Sequence, residues 1–83
     1  MAFKTIHSAA YRRLVAKLRA LREEAGLSQS ELSKQLGWPQ QRLSAVEAGA
    51  RRIDVIEFLT LTAALGLTPE TAIQLVATPS RSR

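Results

Sequence analysis

Four glycines, Gly26, Gly37, Gly49 and Gly66, cut the chain into short segments, and each follows a run of helically spaced apolar residues. Glycine just past such a run is a common helix stop, because it accepts the left-handed backbone that closes the last turn. The first segment runs from about Ser8 to Ala25. There Tyr11, Leu14, Val15, Leu18, Leu21 and Ala25 make one apolar stripe, with Arg12, Lys17, Arg19 and Glu23 on other faces. The next starts at Ser28, where "SQSE" reads as a capping box: Ser28 serves one orphan amide and Glu31 reaches back to another. Leu27 and Leu32 have the spacing of a hydrophobic staple, and Leu32 and Leu36 point inward. A third helix starts at Pro39, a residue favoured in a first turn, and turns Leu43 and Val46 inward. "DVIE" repeats the capping box at Asp54 and Glu57, with Ile53 and Phe58 as staple; Phe58, Leu61, Thr62 and Leu65 then line one face. "TPE" opens a fifth helix with Thr68 as cap, carrying Ala72, Ile73, Leu75 and Val76. Those last three cannot all face inward on one helix, which leaves an apolar surplus for a partner. No strand alternation or repeat is present. The expected fold is all-α, a compact five-helix domain over residues 8–77, with an N-terminal arm at 1–7 and a disordered tail at 78–83.

Composition narrows the function. The 83 residues suffice for one modest core. Cysteine is absent, which removes disulfides and cysteine metal sites and fits a reducing compartment. No apolar run nears the ~20 residues of a membrane span, and the N-terminus lacks the pattern of a signal peptide; a cytoplasmic protein is expected. The net charge of +5 is unevenly spread. Residues 1–52 hold ten Lys/Arg against four Glu, whereas residues 53–80 hold three acids and no Lys or Arg. The basic part would attract a polyanion. An enzyme finds no support: one histidine (His7), no carboxylate pair with a partner and no glycine-rich phosphate loop. No cofactor, metal or small-molecule ligand is expected.

The corner at Gly37 carries the sharpest signal. Ser33, four residues before it, is small enough for two helix backbones to approach closely. Leu36 precedes it, and Leu43 and Val46 follow at six and nine residues. This is helix-turn-helix spacing over about residues 28–49: the back of the second helix is buried and its front is free to enter a DNA major groove. Together, "LRALREEAGLSQSELSKQLG", "PQQRLSAVEAGARR" and "IDVIEFLTLTAALGLTPE" resemble a Cro/lambda-repressor-type, lambda-repressor-like DNA-binding domain of the XRE family. The resemblance covers about two-thirds of the chain, from about Leu18 to Leu75.

That resemblance implies roles. The recognition helix would read bases with Gln40, Gln41, Ser44 and Ala45, while Gln29, Arg42, Arg51 and Arg52 would meet phosphates. A glutamine amide offers the donor and acceptor that match adenine N6 and N7. Arg22 and Glu47 match a structural ion pair that ties the first helix to the end of the recognition helix. Ala45 and Ala48 stand where many relatives carry polar contact residues, and Trp38 is unusual in the turn. The implied function is a sequence-specific, DNA-binding transcriptional regulator. The expected form is a small stand-alone bacterial or phage repressor or controller that binds double-stranded DNA as a homodimer on a palindromic operator. The alternative is a protein-interaction module or antitoxin-type partner that keeps the fold. Lys4, Arg12 and Arg13 stand either as an arm towards DNA or as solvated surface.

Overall fold

The computed structural model describes residues 8–77. The arm at 1–7 and the tail at 78–83, with Lys4 and His7, lie outside the described residues. Five helices follow one another: α1 (Ala9–Glu24), α2 (Gln29–Leu36), α3 (Gln40–Glu47), α4 (Val55–Ala64) and α5 (Pro69–Ala77). Their starts are set by side chains. The Ser8 hydroxyl accepts from the Tyr11 amide at 3.0 Å. Both capping boxes form: Ser28 and Glu31 exchange bonds of 3.0 and 2.8 Å, and Asp54 and Glu57 of 2.7 and 3.1 Å. The Thr68 hydroxyl accepts from the Thr71 amide at 3.2 Å. Each such cap contributes about 1 kcal/mol.

The corner between α2 and α3 is fixed by backbone. Gly37 has φ 72 and ψ 26, a left-handed conformation that a Cβ disfavours. The Trp38 amide then donates to the Ser33 carbonyl at 2.9 Å, closing a Schellman-type end. Two local expectations shift. Pro39 is not the first residue of α3 but its N-cap, with φ −63 and ψ 144, and it offers no side-chain cap. Its ring fixes φ but carries no acceptor, so the helix starts at Gln40. Ala25 leaves the apolar stripe; it is the exposed C-cap of α1, past the last full turn.

One core joins all five helices: Leu14 and Leu18 from α1, Leu32 from α2, Leu43 from α3, Phe58 and Leu61 from α4, and Ala72 from α5. Full burial of each leucine stabilises the fold by about 2 kcal/mol. α3 packs on α1 and α2, α2 also packs on α4, and α5 closes the domain against α1 and α4. Ser33 is buried where α2 meets the rest of the domain, and its Oγ has no hydrogen-bond partner among the described residues. On α5 the apolar surplus falls to Ile73 and Val76, both exposed, while Leu75 is half-buried.

Candidate nucleic-acid interface

The orientation of α3 follows from its two buried residues. Leu43 and Val46 are each 1% exposed and anchor the helix by its back. Gln40, Gln41 and Ser44 are exposed and line one shallow open depression on the opposite face. Positions three and four apart share a helix face, so 40, 41 and 44 act from one patch. Ala45 lies half-buried at its edge, and its carbonyl accepts from the Ala50 and Arg51 amides at 2.9 and 3.3 Å.

A buried carboxylate fixes this helix against the others. Glu47 accepts from Arg22 Nε at 2.7 Å and from Arg22 Nη2 at 3.0 Å. It also accepts from the Gln29 amide at 2.9 Å. Arg22 spends its remaining reach on the Leu27 carbonyl at 2.7 Å. The bond to Glu47 holds the Arg22 pKa above its ordinary value, against the opposing effect of burial. α1, α2 and α3 thus meet on one carboxylate, and the expected Arg22–Glu47 ion pair is present with Gln29 as a third member.

The cations expected to meet phosphates are unequally placed. Arg42 lies over the Trp38 ring, 5.2 Å from its centroid, within cation–π range, and its Nη1 is 3.6 Å from Glu57 Oε2. Arg51 makes a two-point pair with Glu57, at 3.1 and 3.2 Å. These arginines hold the Glu57 carboxyl below its ordinary pKa, the Arg51 hydrogen bonds most of all. Arg52 is exposed and has no ion-pair partner among the described residues. Gln29 has its amide committed to Glu47. Trp38 is half-buried, packed against the core and beneath Arg42 at once.

Two residues acquire roles that sequence reasoning missed. The Tyr11 hydroxyl donates to the Arg51 carbonyl at 3.0 Å and accepts from the Ile53 amide at 3.1 Å. It clasps the segment that carries Arg51 and Arg52 onto α1, and burial pushes its pKa up. Periodicity assigned Tyr11 to the core stripe and carried no information about where its hydroxyl ends. Glu57 was legible as a capping residue; its proximity in sequence to Arg51 was the one available hint of the ion pair.

Among the described residues, no helix is long and apolar enough to cross a membrane, and no group of three or more His, Cys, Asp or Glu could hold a metal ion. A helix-turn-helix family model matches residues 18–71. No curated protein matches the sequence. Among solved structures, an XRE-family like protein from Pseudomonas syringae pv. tomato str. DC3000 is similar, with 38% identity and a TM-score of 0.82 over 96% of this chain and 98% of that one. The family is one of DNA-binding regulators rather than of enzymes. With matching helix order, corner geometry and sequence, the chain belongs to the XRE family of helix-turn-helix DNA-binding proteins.

Proposed function

We propose that the protein is a sequence-specific transcriptional regulator, a small repressor or controller acting in the cytoplasm as a homodimer on a palindromic operator. The observation that carries this reading is the polar patch of Gln40, Gln41 and Ser44, exposed on the face of α3 opposite buried Leu43 and Val46. In a major groove, the two glutamines of the first turn read bases, at least one of them an adenine, and Ala45 meets a thymine methyl. Arg52 meets a phosphate directly; Gln29, Arg42 and Arg51 do so by exchanging or sharing their present partners. A single domain grips a half-site weakly, and a dimer spans two half-sites about 34 Å apart. The exposed Val55 and Ile56 of α4 and Ile73 and Val76 of α5 supply apolar surface for that pairing.

Selection of bound sequences from a random duplex pool tests the reading. An inverted repeat is expected, and Gln40→Ala and Gln41→Ala should each relax preference at one position per half-site, by about 1–3 kcal/mol of discrimination. Uniform weakening on every sequence would move the glutamines to the phosphates. Recovery of no preferred sequence would favour the second reading, a protein-interaction module or antitoxin-type partner, for which the same exposed apolar face is the supporting observation.

A further inference from the structure

Glu57 holds three groups at once. It accepts from the Asp54 amide at 3.1 Å, pairs with Arg51 through both oxygens, and lies 3.6 Å from Arg42. Its side chain is 16% exposed, against 35% for Arg42 and 40% for Arg51. The Glu57 side chain is therefore less exposed than either arginine side chain it meets. One belongs to the recognition helix and the other to the segment that follows it. A carboxylate and a phosphate present the same two-oxygen edge to an arginine fork.

We propose that Glu57 is an internal stand-in for phosphate, which occupies Arg42 and Arg51 in the free protein and so holds down sequence-independent binding to double-stranded DNA. The inference rests on the DNA-binding reading. Sequence-independent affinity comes almost wholly from phosphate neutralisation and counterion release. An arginine that leaves Glu57 for a phosphate exchanges one ion pair for another and strands the carboxylate beside the DNA, so the exchange gains little. In sequence-independent complexes both arginines therefore stay on Glu57 and neutralise no phosphate. Binding through Gln40, Gln41 and Ser44 draws on no such pair, so Glu57 shifts the balance towards base reading. Arg52, which has no ion pair among the described residues, supplies the sequence-independent grip that remains.

The test measures binding to a random-sequence duplex across a salt series. Glu57→Gln keeps an acceptor at the capping position, since glutamine also completes a capping box, while it removes the charge. At low salt this variant should bind about tenfold tighter, and its plot of log K against log salt should steepen by about one to two units. Arg51→Ala in the wild-type background should leave the slope nearly unchanged; in the Glu57→Gln background it should shallow the slope by about one unit. Equal or weaker binding by Glu57→Gln overturns the inference. So does a full-unit loss from Arg51→Ala alone, which reads out even if Glu57→Gln folds poorly. Wild-type protein that binds no duplex at any salt would instead sink the DNA-binding reading, and the inference with it.

Discussion

Replacing Glu47 by alanine removes the carboxylate on which α1, α2 and α3 meet. The Arg22 side chain is 9% exposed and the Glu47 side chain 5%, so water cannot readily take the place of the lost acceptor. Two charge-assisted bonds to Arg22 vanish, at 2.7 and 3.0 Å. Each contributes roughly 1.5–3 kcal/mol. Against that loss stand the bond that Arg22 keeps to the Leu27 carbonyl at 2.7 Å and a distant approach to Glu23 at 3.9 Å. The expected net cost is about 3 kcal/mol, at the lower end of what breaking a buried pair costs. For a chain of this size each kcal/mol moves the melting point by about 4–8 °C, so Tm should fall by about 12–24 °C. Thermal denaturation followed by far-UV circular dichroism measures it. The paired variant Arg22→Met with Glu47→Leu should recover most of the loss, because what costs free energy is the stranded guanidinium rather than the missing attraction. A single-variant loss under about 1 kcal/mol, or a double variant no better than the single, would refute the reasoning.

Tyr11→Phe strands the Arg51 carbonyl and the Ile53 amide and should cost about 1–2 kcal/mol. It should also change the alkaline limb of stability. Burial raises the Tyr11 pKa above 10.0, so the hydroxyl's contribution is complete below the unfolded value and lost as pH rises through the folded one. Melts in alkaline buffers should show a decline in the wild type that the phenylalanine variant lacks; parallel declines would count against the clasp. Ser33→Ala removes a buried hydroxyl with no partner among the described residues and should stabilise the protein by about 1 kcal/mol in urea titrations; destabilisation would reveal a partner for Ser33 Oγ.

Much of the fold was legible because its signals are local. Ser28 with Glu31 and Asp54 with Glu57 are capping pairs three residues apart, and the structure forms both. Gly37 marked the corner, and the inward spacing of Leu43 and Val46 gave the facing of α3. The Arg22–Glu47 pair came from family resemblance, since nothing in a 25-residue separation signals it otherwise. What escaped reading lies at the tips of long side chains. Tyr11 reaches residues 40 and 42 positions away, and Glu57 gathers Arg42 and Arg51. Periodicity reports which face a residue shares, not where its terminal atoms arrive. The start of α3 shifted by one residue because a proline at a boundary fits both the cap and the first turn.

Trp38 and Tyr11 are the only tryptophan and tyrosine in the chain, and they flank the region proposed to meet DNA. Trp38 sits at the entrance to α3 beneath the Arg42 guanidinium, and Tyr11 holds the segment at its exit. The protein therefore carries its own optical reporter. Excitation at the red edge of indole absorption addresses one corner of the molecule, while α4 and α5, with neither chromophore, stay dark. Any event that lifts Arg42 from that ring changes the emission of a single fluorophore without a label.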